Sequence, residues 1–295
     1  MCPYCETSSV NIVRRGYFRR QSTNTIRVQR YFCKMCRKYF CDRTQTTTYR
    51  EKKAYANNKL VRLLCSGVSQ RRCAEILGLH RTTVAKKMAK LSQAAENAQA
   101  SYLLSLPKMS VVVFDEMETF EHSKCKPISI AVAVEEGSRR IIGLETASMP
   151  AKGHLVKIAR QKYGPRRDDR QKALRELLCR VKSVAKGDVI LKSDEAPRYP
   201  RLVKDLFPDS NHERYKGRRG CVVGQGELKA GGWDPLFSLN HTCAMIRDNL
   251  KRLSRRTWCT TKQIDRLQQL LNLYIFYHNE RIELGRKQVN ACAIV

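Results

Sequence analysis

Residues 110–120 read SVVVFDEMETF, an apolar and partly β-branched run that leads into a group of carboxylates. A short apolar run bounded by polar residues is typical of a buried β-strand. Two further strands are predicted directly after it, over residues 127–136 (PISIAVAVEE) and 138–148 (SRRIIGLETAS). Because only short polar or glycine-containing stretches separate the three segments, we expect them to form an antiparallel meander.

The segments that follow these strands complete an α/β pattern. Residues 168–185 repeat apolar side chains at helical spacing, and residues 188–203 (DVILKSDEAPRYPRLV) read as a buried strand, an acidic turn and another helix. The predicted order β-β-β-α-β-α is that of an open α/β sheet, in which ligands bind at the ends of the strands. We place this core at residues 108–285, with an amphipathic helix over 265–281 that packs on it.

Two aspartates stand at comparable places in this pattern. Asp115 follows the apolar part of the first strand, and Asp194 comes just after the strand VILKS. On neighbouring strands this pair would hold Mg²⁺ or Mn²⁺, since hard cations prefer carboxylate oxygens and keep open positions for phosphate. A lone aspartate after a strand is more often a turn former, so the predicted metal site depends on the pair.

The charge of the chain indicates a polyanionic partner. Lys and Arg number 57 against 27 Asp and Glu, which gives a formal net charge of +30, and nucleic acid is the polyanion that such a chain commonly binds. The apolar runs, such as residues 111–114 and 131–134, are too short to span a bilayer. The N-terminus also lacks the charged and apolar regions of a signal peptide. We therefore expect double-stranded DNA as partner, no membrane contact, and a cytoplasmic, nucleoid-associated protein.

Paired cysteine motifs near the N-terminus predict a zinc site. Cys2-x-x-Cys5 is followed, after 27 residues, by Cys33-x-x-Cys36, and the segment between them alternates apolar and polar residues as a hairpin does. Four thiolates in two such knuckles bind Zn²⁺ tetrahedrally, so we predict a zinc ribbon over residues 1–45. The gap exceeds the roughly 15–20 residues of the usual pattern. Two unrelated cysteine pairs in a chain of 13 cysteines are therefore the alternative.

Residues 55–100 predict a helix-turn-helix domain. Residues 58–98 read as a helix, a Ser-Gly break, a second helix and a Gly-Leu-His turn that opens a third helix, with apolar positions where such helices pack together. The third helix would present cations and hydroxyls to a DNA groove, namely Arg81, Thr82, Thr83, Lys86 and Lys87. A plain helical hairpin with a solvated cationic face is the alternative.

A basic helix is predicted over residues 237–257, FSLNHTCAMIRDNLKRLSRRT. Four residues follow Asn240 at helical spacing and so share its face: Ala244, Arg247, Lys251 and Arg255. Cations in such a stripe would neutralise the phosphates of a bound strand, although a merely solvated face is also possible. Asn240 itself also suits the N-cap of the helix, where it would satisfy a free backbone N–H.

Five segments of the chain together resemble the DDE-type transposases of the insertion sequence one type. These segments are CPYC with QRYFCKMCRKYF, GVSQRRCAEILGLHRTTV, FDEMETF, SDEAPRY and IRDNLKRLSRRTWCTTK, of which the last is the most specific. The resemblance implies an RNase H-like catalytic core in which three acidic side chains hold two divalent ions. It also implies that the protein cuts and rejoins the ends of its own mobile element.

The resemblance also implies which residues form the acidic set. Asp115 and Asp194 match its first two acids, and counting back from Arg247 places the third at Asn240. An asparagine offers an amide oxygen to a hard cation, but it supplies neither charge nor a base. The nearest acids that would substitute for it in sequence are Glu227 and Asp234.

The sequence therefore predicts a metal-dependent transposase that binds terminal inverted repeats, acts as a homo-oligomer on DNA, and uses Mg²⁺ or Mn²⁺ in addition to structural Zn²⁺. The alternative is a sequence-specific DNA-binding regulator, or an inactive transposase relic, that binds DNA without cutting it. Asn240 is the residue that keeps this alternative open.

Overall fold

The computed structural model describes residues 1–19, 27–44, 46, 48–49, 51–216, 234–254 and 258–285. It separates them into one unit formed by residues 1–58 and a second unit that begins at Lys59.

The described part of the first unit contains a three-stranded antiparallel sheet in the order β1-β2-β3. Its strands are β1 (Ile12–Arg19), β2 (Arg27–Cys33) and β3 (Tyr39–Cys41), and short 3₁₀ helices lie at Ser9–Asn11 and Ala54–Ala56. The hairpin predicted between the two cysteine pairs is confirmed by the antiparallel pairing of β1 with β2. The buried cluster of this unit is small and is formed by Cys2, Cys33 and Phe40.

Three helices come next in the chain and belong to the second unit from Lys59 onward: α1 (Asn57–Cys65), α2 (Gln70–Ile76) and α3 (Arg81–Ser105). This confirms the predicted order of helix, break, helix, turn and helix. Ser69 caps α2 by accepting a hydrogen bond from the Arg72 N–H, and His80 caps α3 by accepting one from the Thr82 N–H. Gly78 in the connecting turn has a φ of 58°, a conformation that glycine adopts without strain.

α3 continues into the core of the second unit as a single helix of 25 residues. Near its end, the Gln99 side chain donates a hydrogen bond to the Ile141 carbonyl, at 3.4 Å. Tyr102 donates to Glu283, a carboxylate that also accepts from Arg140 at 2.7 Å. Because one continuous helix makes these contacts, the two-helix motif at its start has a defined orientation to the sheet.

The described part of the second unit contains a five-stranded mixed sheet in the order β6-β5-β4-β7-β8. The strands are β4 (Met109–Phe120), β5 (Pro127–Glu135), β6 (Ile141–Ser148), β7 (Ala185–Asp194) and β8 (Asn211–Tyr215). The predicted meander is confirmed, since β4 pairs with β5 and β5 pairs with β6 in antiparallel register. β7 then pairs with both β4 and β8 in parallel.

Helices cover both faces of this sheet, so the domain is mixed α/β. They are α4 (Leu155–Tyr163), α5 (Arg170–Val184), α6 (Tyr199–Leu206), α7 (Phe237–Asn249) and α8 (Ile264–Leu284). Phe114 of the central strand packs against Tyr199 of α6, with ring centroids 5.1 Å apart. Since side chains alternate along a strand, the neighbouring Asp115 points to the other face, where α7 contacts β4 and β5. No helix in the described ranges is long and apolar enough to cross a membrane.

Two short elements are absent from the predicted order. α4 lies between β6 and α5, and β8 forms the edge of the sheet beside β7. β8 reads NHERY and is half-exposed, so it lacks the apolar run by which a buried strand is recognised. Edge strands carry little of that signal because one side of the strand faces solvent.

The basic helix is shorter than predicted. α7 ends at Asn249, so Lys251 lies beyond it and does not extend a helical stripe; Arg255 lies outside the described residues. Side chains satisfy the last carbonyls of the helix: Asn249 donates to the Met245 carbonyl at 2.9 Å, and Ser254 donates to the Arg247 carbonyl at 3.1 Å. The chain then turns inward to bury Leu250 and Leu253.

The start of α7 also differs from the N-cap interpretation. The helix begins at Phe237 with Leu236 at the N-cap position, so Asn240 lies in its first turn and does not cap it. Asp234 accepts a hydrogen bond from the Leu236 N–H at 2.9 Å and thereby satisfies a donor near the helix start.

Candidate active site and metal centre

Asp115 and Asp194 lie next to each other on neighbouring parallel strands. The register of β4 and β7 pairs Val113 with Lys192, so the two aspartates stand at equivalent positions two residues further along. β7 ends at Asp194, whereas β4 continues to Phe120. The carboxylate pair therefore lies where the carboxyl end of β7 leaves β4 uncovered, a common position for ligand sites in open α/β sheets.

The two carboxylates affect each other electrostatically. Burial, and then the charge of Asp194, raise the pKa of Asp115 from 3.8 to about 7. Tyr199 lowers it by hydrogen bonding, and Arg198 and Arg247 lower it by their charge, but these effects only partly compensate. Two partly buried like charges destabilise each other, and a divalent cation between them removes that cost.

Each carboxylate has one oxygen held and one oxygen available. Asp115 Oδ1 accepts from the Glu116 N–H at 2.6 Å and from the Tyr199 hydroxyl at 3.1 Å. Asp194 Oδ1 accepts from the Ala196 N–H at 2.9 Å. Within the described residues, neither Oδ2 atom has a hydrogen-bond partner. This arrangement orients the side chains and leaves anionic oxygens for a hard cation such as Mg²⁺ or Mn²⁺.

Two residues of the SDEAPRY segment, Arg198 and Tyr199, support the site and were not singled out from the sequence. Arg198 forms an ion pair with Glu116, which also accepts a hydrogen bond from Ser129 Oγ at 2.8 Å. The Glu116 side chain is therefore buried with a cationic partner, and it also accepts a hydrogen bond from the Tyr199 hydroxyl at 3.3 Å. In the sequence, Arg198 and Tyr199 are only a cation and a phenol in a polar turn, and these residue types do not indicate that the two side chains support a carboxylate site.

One face of α7 lies beside Asp115. The charge of Arg247 lowers the pKa of Asp115. Burial raises the pKa of Cys243, one helical turn before Arg247, and the charge of Asp115 adds to that increase. Asn240 precedes Cys243 by three residues, so it shares this face. Its side-chain N–H donates to Asp234 Oδ2 at 2.9 Å. A carboxylate thus accompanies the asparagine at the start of the helix.

Within the described residues, the third position of the acidic set has no counterpart close to the pair. Among the described residues, the only group of three or more side chains placed to hold a metal ion consists of cysteines, so no third carboxylate joins Asp115 and Asp194. Glu227, one of the substitutes considered from the sequence, lies outside the described residues.

Four cysteine sulfurs converge in the first unit. Cys2 Sγ lies 3.6 Å from Cys36 Sγ, Cys5 Sγ lies 3.7 Å from Cys33 Sγ, and all four atoms lie within 4.8 Å of one another. Zn–S bonds of about 2.3 Å in a tetrahedron place the sulfurs about 3.8 Å apart. The set therefore has the size and the ligand chemistry of a Zn²⁺ site.

The two cysteine knuckles have the same backbone conformation. Glu6 and Arg37 each follow the second cysteine of a pair, and both have positive φ values, of 53° and 55°. Cys41 does not belong to the cluster, since its sulfur instead accepts a hydrogen bond from Thr44 Oγ1 at 3.6 Å. The cysteine pairs are therefore two copies of one local structure that face each other.

The residues predicted to face DNA from α3 divide into two groups. Arg81, Thr82 and Lys86 are exposed, and Thr83 is half-buried. Lys87 is only 4% exposed, because Val84, Lys87, Met88 and Leu91 recur at the spacing of one helix face, and that face is packed. The accessible face of α3 thus carries Arg81, Thr82 and Lys86 and excludes Lys87.

Neither a protein-family model nor a curated protein sequence matches the chain. Among solved structures, the chain is similar to the catalytic domain of Mos1 mariner transposase, with 16% identity, coverage of 67% of this chain and 91% of that chain, and a TM-score of 0.27. It is also similar to the Mos1 mariner paired end complex with Mn (16% identity, 79% and 78% coverage, TM-score 0.28) and to the Mos1 strand transfer complex (14%, 82% and 80%, 0.26). These TM-scores and identities are too low to assign a fold or an activity to this chain.

Proposed function

We propose that this chain is a DNA transposase whose RNase H-like core cuts and joins DNA strands with the help of divalent metal ions. The observation that carries the proposal is the pair Asp115 and Asp194, each with one held and one available oxygen, on adjacent parallel strands. The order of three antiparallel strands, a helix region and a parallel strand supports the same core. The net charge of +30 supports DNA as the substrate.

The remaining parts of the chain have roles in this proposal. Residues 1–45 form a zinc ribbon, residues 55–100 a helix-turn-helix domain that reads inverted repeats, and residues 108–285 the catalytic core. Arg81, Thr82 and Lys86 contact the DNA from the start of α3. Because α3 runs without a break from this motif into the catalytic core, it sets the direction in which bound DNA reaches the core.

The chemistry assigned to the site follows from its charges. Asp115 and Asp194 would hold Mg²⁺ or Mn²⁺, which supplies an activated water and neutralises developing charge on the phosphate when bound. Tyr199 and the turn after β7 hold the carboxylates in place, and Arg247 brings a cation to the same side of the sheet. Arg247 is thus placed to neutralise a phosphate of the strand being cut.

An Asp194→Asn substitution tests this function. We expect at least about a hundredfold slower Mg²⁺- or Mn²⁺-dependent nicking of a plasmid that carries the DNA flanking the gene, because a lost metal ligand removes several kcal/mol of stabilisation. Asp188→Asn is the matched control, since Asp188 lies exposed on the same strand, and it should cut at the wild-type rate. If the Asp194→Asn protein cuts as fast as the control, the core is not the nuclease.

The alternative of a DNA-binding regulator with an inactive core is favoured by one observation: in the part of the chain that the structure describes, no third carboxylate joins Asp115 and Asp194. It predicts DNA binding by the wild-type protein without metal-dependent cleavage. Asn240 precedes Cys243, whose pKa the charge of Asp115 affects, by three residues on α7, and its side-chain amide donates to Asp234. The transposase proposal therefore needs either the Asn240 amide or the Asp234 carboxylate to complete the site.

An Asn240→Glu substitution separates these cases. We expect it to raise the cleavage rate at least about tenfold, since a charged ligand binds a hard cation more strongly than an amide does. Asn240→Gln has the same length without the charge and serves as the control. Equal rates in the Glu and Gln variants would show that charge at this position does not limit cleavage, and a large loss in Asp234→Asn would then identify Asp234 as the third acid.

A further inference from the structure

A basic cleft lies beyond the carboxylate pair, at the far end of β4. The strand continues past Asp115 to the β4–β5 connection, where Glu121 lies six residues away, a distance of about 20 Å along an extended strand. There a cavity of about 270 Å³ opens between this connection and α4. Its lining includes Lys126, Arg160, Tyr163 and Arg166.

The charge of this cleft is strongly positive. Residues 149–167, which contain α4, include six Lys and Arg and no Asp or Glu. Glu121 lies 3.2 Å from Arg166 and 3.9 Å from Lys126, so one carboxylate is shared by two cations. Arg160 is exposed at the mouth and has no ion pair within the described residues. An excess of positive charge therefore faces the cavity.

The cations of the cleft are positioned by local structure. Lys126 Nζ lies 5.0 Å from the centre of the Tyr163 ring, and Gly164, with a φ of 73°, ends α4 through a hydrogen bond from its N–H to the Arg160 carbonyl at 3.0 Å. Arg166 Nε is buried and has no acceptor within the described part of the chain. A buried donor without an acceptor destabilises the folded chain, and an anionic oxygen from a ligand would remove that cost.

We propose that this cleft binds backbone phosphates of duplex DNA about six base pairs from the bond held at Asp115 and Asp194. The spacing follows from the strand, since about 20 Å corresponds to about six steps of 3.4 Å in B-DNA. DNA fits better than a small phosphate compound, because further exposed cations extend the charge outside the cavity, namely Lys124, Lys157 and Lys162. This inference rests on the proposed function for its register, but the binding of DNA at the cleft is testable without cleavage.

The first test measures the salt dependence of DNA binding by the full chain. Fluorescence anisotropy with a 5′-labelled duplex of about 30 base pairs, without added divalent ions, gives the slope of log affinity against log salt concentration. Each phosphate contact contributes about 0.9 to that slope. The double variant Lys126→Ala with Arg160→Ala should therefore lower its magnitude by about 1.8, and Arg160→Ala alone, at an exposed position, by about 0.9.

The matched control is Lys182→Ala with Lys186→Ala, which removes the same charge from exposed positions elsewhere in the second unit. Its slope should stay close to that of the wild type. Equal changes in the two double variants would show a general charge effect and overturn the assignment, as would an unchanged slope in the Arg160→Ala protein. Comparison of the melting temperatures of all variants excludes unfolding as the cause.

The second test measures the position of the cleft on DNA. Cleavage-site duplexes are shortened stepwise on either side of the cut, and binding to wild type and double variant is compared. Wild-type affinity should drop when fewer than about six base pairs remain on one side, and the double variant should show no such drop. A protein that cuts DNA but gives identical length dependence in both forms would overturn this inference and leave the proposed function intact. A protein that shows the slope change but does not cut DNA would overturn the proposed function and leave DNA binding at the cleft intact.

Discussion

A Cys33→Ser protein is expected to bind no stoichiometric zinc and to lose the folded structure of residues 1–58. Cys33 is fully buried in the sulfur cluster, and the cluster of this unit includes little besides Cys2 and Phe40. So few apolar side chains do not stabilise a unit of this size without a metal or another crosslink. Structural Zn²⁺ contributes roughly 10–16 kcal/mol in comparable zinc-finger peptides at neutral pH.

Metal analysis and limited proteolysis check this expectation. The wild-type protein should contain about one Zn²⁺ per chain and resist cleavage within residues 1–58, and a strong chelator should remove both properties. Cys41→Ser is the control, because Cys41 is also buried in this unit but lies outside the sulfur cluster. Retention of zinc and protease resistance by the Cys33→Ser protein would show that the four sulfurs do not form the site.

An Asp115→Asn protein is expected to be more stable than the wild type at pH 8 when no divalent ion is present. The pKa of Asp115 is about 7 in the folded protein against 3.8 for the ordinary carboxyl. Between these values the folded chain holds a proton that the unfolded chain has lost, so the free energy of unfolding falls as the pH rises. This loss of free energy of unfolding is absent below about pH 4 and complete above about pH 7, where it reaches up to about 4 kcal/mol.

Thermal melts from pH 4 to pH 8 measure this effect. The melting temperature of Asp115→Asn should exceed that of the wild type by up to about 8–16 °C at pH 8, since 1 kcal/mol corresponds to about 2–4 °C for a domain of this size. The difference should vanish toward pH 4. Asp188→Asn, on the exposed part of β7, should follow the wild type throughout.

Addition of Mn²⁺ gives the complementary result. Wild-type protein should gain stability with rising Mn²⁺ concentration, because the ion binds the folded carboxylate pair, and the gain should be larger at pH 8 than at pH 6 since a ligand must be deprotonated. Asp115→Asn should gain little. A wild-type melting temperature that does not depend on Mn²⁺ would mean that Asp115 and Asp194 do not bind the ion.

Several features could be predicted from the sequence because they are local. The strand SVVVFDEMETF, the meander after it, and the three helices before it follow from apolar periodicity and from turn residues such as Gly78. The cysteine spacing likewise predicts two knuckles, each formed within six residues. The pairing of Asp115 with Asp194 was accessible for a related reason, since each follows an apolar strand and strands of one sheet align their ends.

Other features depend on contacts between distant segments, and the sequence does not show them. α7 ends at Asn249 because Leu250 and Leu253 are buried in the core and Ser254 reaches back to the Arg247 carbonyl; the repeat of basic residues alone favoured a longer helix. Lys87 looks like a groove-facing cation in sequence, and only packing places it on the buried face of α3.

The sequence by itself determined the elements, the cysteine pairs and the two aspartates, because each is a property of short segments. The tertiary structure decided the burial of those residues and the charges that surround them. Burial next to Asp194 is what raises the pKa of Asp115, and helix α7 is what brings the charge of Arg247 close enough to lower it. The physical reason is that desolvation and charge interactions depend on distance in space, and distances between residues 115, 194 and 247 are set only when the sheet and its helices pack together.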